Sequence, residues 1–190
     1  MTPDNKPQRV DARANRGRIL DVAEEVFGAG GETASTEEVA RRAGVGIATV
    51  FRHFPTKAAL LEAVLVERFE RLTRRAEELL DAPDAGRAFF DFFAHMVADA
   101  ATKIMIADAL AEESEDASRA TRAANNLRRA VGALLERAQR AGAVRDDVEL
   151  PEVYALLIGA SRAAALAVFE PEVQARALAI IFTGLAPVQA

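Results

Sequence analysis

The 190-residue sequence predicts an all-α protein of about nine helices. Apolar residues recur at the three- and four-residue spacing of a helix along nearly every segment, and no run of alternating β-branched residues stands out. Alanine, the strongest helix former, is abundant, while glycines and prolines fall between the periodic segments. With 51% hydrophobic and 28% charged residues, the chain has the composition of a globular protein with a sizeable core.

Composition also excludes several classes of site. The absence of cysteine rules out disulfides and thiolate metal sites, and two histidines, His53 and His95, are too few for a histidine-rich metal site. A formal net charge of −5 disfavours a protein that coats nucleic acid non-specifically. The sequence has no G-x-S-x-G, P-loop or H-E-x-x-H pattern, so we expect neither an enzyme nor a metal or cofactor site.

Nothing in the sequence resembles an export signal or a membrane span. Residues 1–18 are polar and lack the apolar stretch of a signal peptide. The longest apolar segment, residues 153–169, is short for a membrane span and is interrupted by Arg162. We therefore expect a soluble, cytoplasmic protein without a membrane partner.

The first two predicted elements are an arm and a helix. Residues 1–14 carry more basic than acidic side chains and are predicted to form a flexible basic arm. A helix then runs from about Asn15 to Phe27, because the residues from Ile19 onward form the apolar stripe of a core-facing helix. Glycines, beginning with Gly28, are predicted to end it.

Residues 35–57 are the most informative segment for function. Ser35 and Glu38 have the S-x-x-E spacing of a capping box, which predicts the start of a second helix. A third short helix begins at about Ile47 and is stopped by the proline that follows it. Two short helices joined by the three-residue turn 44–46 are the pattern of a helix-turn-helix.

Side-chain sizes and charges in this segment agree with that interpretation. Gly44 suits a left-handed turn residue, and Val39, Val45 and Val50 are apolar and able to lock the two helices at a fixed angle. The outer face of the third helix is then free to enter a DNA major groove. Four basic residues accompany it: Arg41, Arg42, Arg52 and Lys57. Because the same geometry occurs in proteins that never bind DNA, a helical protein-interaction module stays an alternative.

The remaining two thirds of the chain are predicted to contain six further helices. They cover about 57–80, 86–103, 104–113 and 118–141, followed by two that begin at Pro151 and Pro171. The chain therefore divides at about residue 60: residues 15–60 contain the helix-turn-helix, and residues 61–190 contain the later helices.

The layout A-x3-G-V-x4-V-F-x-H-F-x-x-K-x-x-L, from Ala40 to Leu60, resembles the amino-terminal domain of the TetR (tetracycline repressor-like) family of transcriptional regulators. The resemblance implies that residues 15–60 form a DNA-binding domain and residues 61–190 a ligand-binding and dimerisation domain. It also implies that Thr36, His53 and Lys57 contact DNA phosphates and that the third helix faces the groove. The residues that it places at the DNA interface are Thr36, Gly46, Ile47, Ala48, Thr49, Phe51, Arg52, His53 and Lys57.

Two positions depart from the pattern of that family. Most relatives have a tyrosine whose hydroxyl reaches a phosphate where this chain has Phe51, so one backbone contact is expected to be missing or transferred to Arg52. Gly46 stands where a serine or threonine often caps the third helix, and glycine is only slightly worse as a cap.

A phenylalanine-rich segment of the predicted fifth helix is the candidate ligand pocket. Its apolar residues share one helical face, which is typical of ordinary core packing and also of an apolar cavity. The candidate pocket residues are Phe89, Phe92, Phe93, His95, Met96 and Met105. With few polar groups nearby, we expect a lipophilic effector. Asp91, His95 and Asp99 are spaced like metal ligands, but a polar helix face is the favoured interpretation.

The last two helices are predicted to form a dimer interface. One has a surface of small residues and the other an apolar stripe, and together they have more apolar surface than a small monomer covers. The candidate interface residues are Leu156, Gly159, Ala160, Ala163, Ala164, Ala167, Val173, Ala177, Ile180 and Ile181. Pairing with a second copy would form a four-helix bundle, whereas the alternative is that they close the monomer core.

Together these features predict a homodimeric, ligand-responsive transcriptional regulator, and a repressor rather than an activator. Its partners would be double-stranded DNA with a near-palindromic operator and a small lipophilic effector. Two-fold symmetry of a dimer is what requires the inverted repeat.

Overall fold

A computed structural model describes residues 6–29, 34–113, 117–166 and 170–187. In these ranges the regular secondary structure consists of nine α-helices, which confirms the predicted all-α class. The helices are α1 Lys6–Ala29, α2 Thr36–Ala43, α3 Ile47–His53, α4 Lys57–Leu79, α5 Ala85–Ala98, α6 Ala100–Glu113, α7 Ser118–Arg140, α8 Leu150–Ala165 and α9 Pro171–Leu185.

The predicted arm and the predicted start of the first helix at Asn15 are wrong for the residues that the structure describes. Helix α1 already begins at Lys6, and residues 1–5 lie outside the described ranges. The segment has good helix formers, and its one proline, Pro7, lies in the first turn, where no intrahelical N–H is needed. The prediction failed because it depended on an apolar stripe, which this polar part of the helix lacks.

Helix α1 also continues through Gly28 rather than ending there. A Cβ atom at this position would collide with the side chain of Thr102 in α6. The glycine therefore permits a close approach of α1 to α6, which the sequence pattern alone did not indicate.

The boundary between the fifth and sixth helices lies at Asp99, not near Lys103 as predicted. The Arg68 guanidinium binds both the backbone carbonyl and the carboxylate of Asp99, the carboxylate at 2.6 Å. This contact draws the Asp99 carbonyl to a side-chain donor and accounts for the break. No local pattern indicates it, because the partner lies on another helix.

The first hydrophobic cluster holds the helix-turn-helix together. It joins α1 through Ile19 and Phe27, α2 through Val39, α3 through Val50 and α4 through Leu60. Helices α6 and α7 contribute to the same cluster through Ile106, Leu110 and Ala120. The head, formed by α1 to α3, and the body, formed by the later helices, therefore share one core. The predicted domain boundary after residue 60 falls inside the continuous helix α4.

The second hydrophobic cluster forms the centre of the body, between the later half of α4 and helices α5, α7, α8 and α9. Its buried members include Leu72, Phe89, Leu134, Val153 and Leu185, one from each of these five helices. Phe69 of α4 packs against both clusters and links them. Among the described residues, no helix is long and apolar enough to span a membrane.

Candidate nucleic-acid interface

The turn between α2 and α3 has the geometry that the sequence predicted. Gly44 ends α2 in the left-handed conformation, with φ 66° and ψ 34°, and its N–H donates to the carbonyls of Ala40 and Arg41. A side chain at this φ would be strained, so glycine fixes the angle between the two helices. Val39 and Val50 are fully buried beneath the turn and lock the two helices together.

Helix α2 is capped as predicted, although only one half of the expected capping box is present. The Ser35 Oγ atom accepts a hydrogen bond from the Glu38 N–H at 3.2 Å. The Glu38 carboxylate instead accepts two hydrogen bonds from the Arg41 guanidinium, at 2.8 and 2.6 Å. These hydrogen bonds lower the pKa of Glu38. Arg41 therefore already has an acidic partner on the surface of the head.

Helix α3 presents an outer face that is both apolar and basic. Ile47 is 37% exposed and Phe51 is 41% exposed, so two large apolar side chains one turn apart contact solvent. Ala48 and Arg52 are exposed beside them, whereas Thr49 is half-buried. Val50, on the opposite side of α3, is fully buried in the first hydrophobic cluster, so the outer face is anchored to the head core.

The N-terminus of α3 has an open capping position. Gly46 is the N-cap residue with extended backbone, and a Cβ atom there would meet nothing within 4 Å. The carbonyl of Gly46 accepts from the Thr49 N–H at 2.8 Å. A serine or threonine would fit at this position, so glycine is not required by space.

The three predicted phosphate contacts differ in how accessible they are. Thr36 is only 8% exposed, and its hydroxyl donates to the Glu37 carboxylate at 3.3 Å. His53 is half-buried beside Phe54, with ring centroids 6.2 Å apart. Lys57 is half-exposed at the first position of α4, where its ammonium pairs with Glu113 of α6 at 2.8 Å.

The candidate ligand-pocket residues do not share one cavity in this structure. Phe89, Phe92, Phe93 and Met96 are buried in the second hydrophobic cluster, which is the ordinary core packing already considered for them. His95 of α5 is exposed, and Met105 is 43% exposed on α6. Their role in ligand binding stays a prediction.

An open, mainly apolar groove lies instead between α4, α6 and α7. Its volume is about 520 Å³, within the range of small-molecule sites. It is lined by Leu65, Phe69, Ala107, Leu110, Ala111, Ala117, Ala120, Thr121 and Ala124. The sequence pattern missed this groove because it combines residues of α4 with residues of α6 and α7, which follow only after α5 along the chain.

The spacing of Asp91, His95 and Asp99 does not produce a metal site in the structure. The Asp91 carboxylate accepts a hydrogen bond from Arg87 at 3.2 Å, and Asp99 is bound by Arg68. Within the described residues no group of three or more metal-binding side chains lies together. Each of the two carboxylates is instead paired with an arginine, Asp91 within α5 and Asp99 with Arg68 of α4.

Helices α8 and α9 expose apolar side chains at the surface of the body. Leu156 is 39% exposed and Ile180 is 72% exposed, and Gly159 and Ala177 are exposed as well. Ala160, Ala164 and Ile181 are partly buried against the second cluster, and Ala163 and Val173 are half-buried. Ala167 lies outside the described residues. Two exposed residues were missed: Ile158 at 54% and Leu166 at 72%.

Arg68 forms a buried ionic cluster that joins the head to the body, and the sequence did not reveal it. Its guanidinium is 3% exposed and pairs with Glu24 of α1 and with Asp99 after α5. Arg71 adds a second pair to Glu24 at 2.9 Å. Burial, followed by the charge of Arg68, lowers the pKa of nearby Lys103. A long-range pair of this kind leaves no pattern along the chain.

A three-helix head that contains a helix-turn-helix, packed on an all-helical body, defines the class of a helix-turn-helix regulator, and comparison with known proteins agrees. Residues 19–64 match the family described as bacterial regulatory proteins, tetR family. Residues 84–187 match the SbtR-like C-terminal domain of transcriptional regulators. Because the second match alone covers more than half of the sequence, the chain belongs to the TetR family of transcriptional regulators.

Two solved structures and one curated relative illustrate this membership. The chain is 40% identical to a TetR regulatory protein from Mycobacterium vanbaalenii, with TM-score 0.78, covering 95% of this chain and 100% of that one. It is 29% identical to the TetR regulator SCO0520 from Streptomyces coelicolor, with TM-score 0.74, covering 92% and 99%. With UidR of Escherichia coli K12 it shares 29% identity over 90 residues, 47% of this chain and 44% of UidR. The chain thus spans less than half of that curated relative.

Proposed function

We propose that the protein is a homodimeric repressor that binds a near-palindromic operator through α3 and releases it when a lipophilic effector occupies the body. The observation that carries the proposal is the exposed outer face of α3, with Ile47, Phe51 and Arg52, anchored to the head core through the buried Val50. Exposed apolar side chains that cluster beside a basic one are typical of an interaction surface. A DNA regulator of this kind would act in the cytoplasm.

The chemistry of this face suggests how it reads bases. The Arg52 guanidinium is suited to donate two hydrogen bonds to the O6 and N7 atoms of a guanine in the major groove. Ile47 and Ala48 offer apolar surface that can contact thymine methyl groups. The half-buried Thr49 adds one hydroxyl at the edge of the face.

The phosphate contacts would come from the residues around this face. His53, Lys57 and the backbone at Thr36 would fix the orientation of α3 in the groove through phosphates. Such contacts position the head on the duplex and carry no sequence information themselves. The separation of roles predicts that changes at Ile47 or Arg52 alter base preference, whereas changes at Lys57 weaken binding to all duplexes alike.

The basic side chains around α3 support this orientation of the head on DNA. Arg41, Arg42 and Lys57 are each paired with a carboxylate of this chain, which keeps the basic side chains ordered near the surface. Exposed ion pairs of this kind contribute at most about 1 kcal/mol, so a DNA phosphate can replace such a carboxylate at a small cost in free energy. The contact would be salt-dependent, because each phosphate neutralised releases counterions from the duplex.

Dimerisation through α8 and α9 would supply the two-fold symmetry that an inverted repeat needs. The exposed apolar residues Leu156, Ile158, Leu166 and Ile180 would be covered by the same surface of a second copy. Two recognition helices would then meet half-sites one or more helical turns apart, about 34–36 Å for one turn.

The groove between α4, α6 and α7 is our candidate effector site. It is lined mainly by alanine, leucine and phenylalanine, and Thr121 is the one hydroxyl among its lining residues, which favours a lipophilic ligand. Leu110 and Ala120 line this groove and also belong to the first hydrophobic cluster, which holds the head together. A ligand in the groove would therefore contact residues on which the packing of the head depends. If the ligand weakens DNA binding, DNA weakens ligand binding by the same factor.

The first test is selection from a randomised duplex library with the purified protein at near-physiological salt. We expect enrichment of an inverted repeat, whose half-site contains guanine and thymine opposite Arg52 and the apolar side chains. A library that enriches no sequence would contradict the proposal, provided that denaturation and mass spectrometry find no co-purified ligand. In that case the interaction-module alternative would account better for the exposed helix face.

Replacing Phe51 by tyrosine is expected to strengthen binding of the dimer to every duplex by about four- to a hundredfold. One added hydrogen bond typically gains about two- to tenfold, and the dimer carries two such positions. Phe51 is 41% exposed, so a hydroxyl at its ring edge has room to reach a phosphate. Titration of the selected operator and of a scrambled duplex of equal length would measure the gain. A gain on the operator alone would mean that position 51 reads bases instead.

A further inference from the structure

Lys57, which is predicted to bind a DNA phosphate, already forms an ion pair with a carboxylate of helix α6. Lys57 is the first residue of α4, and its Nζ atom donates to the Oε1 atom of Glu113 at 2.8 Å. Glu113 is the last residue of α6. The two side chains are 35% and 39% exposed, so the pair lies at the surface and is open to exchange with another anion. The ammonium is also 5.9 Å from the centroid of the Phe27 ring.

We propose that Glu113 is an intramolecular competitor of DNA for Lys57, and this inference rests on the proposed function. A carboxylate and a phosphate bind a lysine in the same way, by accepting its N–H donors and balancing its positive charge. Lys57 cannot neutralise a phosphate fully while its ammonium is held by Glu113. DNA therefore competes with Glu113 for the charge of Lys57, and displacing the carboxylate subtracts the free energy of the pair from the affinity for any duplex.

The position of Glu113 ties this competition to the candidate effector groove. Helix α6 lines the groove through Ala107, Leu110 and Ala111, within two helical turns of Glu113. A shift of α6 on ligand binding would move the Glu113 carboxylate relative to Lys57, while Lys57 stays fixed to α4. The pair is thus a point where occupancy of the groove changes the charge that Lys57 offers to DNA.

The expected strength of the competition is modest. Half-exposed ion pairs change equilibria by about two- to fivefold. A dimer carries two such pairs, and breaking both on one operator multiplies the factors to about four- to twenty-fivefold. Salt weakens the pair by screening, so the competition is strongest at low ionic strength.

The test compares Glu113→Gln with Glu112→Gln. The two variants remove the same charge from adjacent residues of α6, and Glu112 is also exposed, so general repulsion of DNA falls equally in both. Glutamine keeps the size of the side chain and its helix propensity, and circular dichroism would verify the fold. Affinities for the selected operator and for a scrambled duplex are measured between about 50 and 200 mM salt, the range over which phosphate contacts are most evident.

We expect Glu113→Gln to bind both duplexes about four- to twenty-fivefold more tightly than Glu112→Gln, with the difference declining as salt rises. In a Lys57→Gln background the two variants should bind equally, because the competing partner is gone. Equal binding in the Lys57 protein would overturn the competitor role while leaving the proposed function intact. If neither wild type nor Glu113→Gln binds any duplex, both proposals fail, whereas binding by Glu113→Gln alone supports the competitor.

Discussion

Replacing Ile180 by glutamate is expected to turn the protein into a monomer and to abolish tight operator binding. Ile180 is 72% exposed in the single chain, the same fraction as Leu166. Covering its side chain with a partner surface would therefore remove a large apolar area from water. In the proposed interface a second copy covers it. A two-fold interface contains each residue twice, so the substitution buries two carboxylates without partners.

The expected loss follows from the cost of burying an unpaired charge. One such burial at an interface costs on the order of 2–5 kcal/mol, so we expect the dimer to weaken by about 100-fold or more. Operator affinity should fall by at least about 100-fold, because a monomer engages only one half-site and loses the advantage of linked binding. Sedimentation velocity over a range of concentrations would measure the first effect, and operator titration the second.

Ile180→Leu is the matched control, since leucine keeps the apolar area at the same position and should remain dimeric. Circular dichroism should show the same helix content for both variants, because Ile180 lies outside the buried core. An Ile180→Glu variant that sediments as a dimer would contradict the proposed interface. Helices α8 and α9 would then only close the monomer, the alternative that the sequence left open.

The sequence predicted the head more accurately than the body, and the reason is physical. In the head, function and fold depend on local features: the Ser35 cap, the left-handed Gly44 and the buried Val39 and Val50 all lie within one short segment. Such features leave direct traces in a sequence. The family resemblance is also found in the head, and the predicted interface residues were assigned from the positions that match it.

Apart from the start of α1, which lies in a polar segment without an apolar stripe, the features that the sequence missed depend on contacts between different helices. The break at Asp99 is produced by Arg68, and the Lys57–Glu113 pair joins residues from α4 and α6. The groove residues come from three helices and the segment before α7, whereas the phenylalanines of α5 belong to the second hydrophobic cluster, the core packing that the sequence also allowed. Periodicity shows that a helix has an apolar face, but it does not show which neighbour covers that face.

Replacing Arg68 by methionine is expected to lower stability substantially, because it removes the centre of the buried ionic cluster. Breaking a buried ion pair by deleting one partner costs about 3–5 kcal/mol, since the other charge stays buried and unpaired. For a protein of this size that corresponds to a decrease in Tm of roughly 6–20 °C. Thermal denaturation followed by circular dichroism would measure it.

The structure favours the lower end of that range. Glu24 keeps Arg71 as a partner at 2.9 Å, and the positive charge of Lys103 lies close to Asp99. The Arg68 Nε atom is buried and has no hydrogen-bond partner among the described residues, so methionine also removes one unsatisfied donor. The aliphatic part of the methionine side chain would refill much of the space that the arginine occupied.

Arg71→Met is the matched control, because Arg71 also binds Glu24 but is 48% exposed. Exposed pairs contribute at most about 1 kcal/mol, so its Tm should fall by no more than about 4 °C. Equal Tm values for the two variants would mean that the joint between head and body depends on apolar packing alone. The close approach of Gly28 to Thr102 and the shared core around Ile106 would then hold α1 against α6 without the ionic cluster.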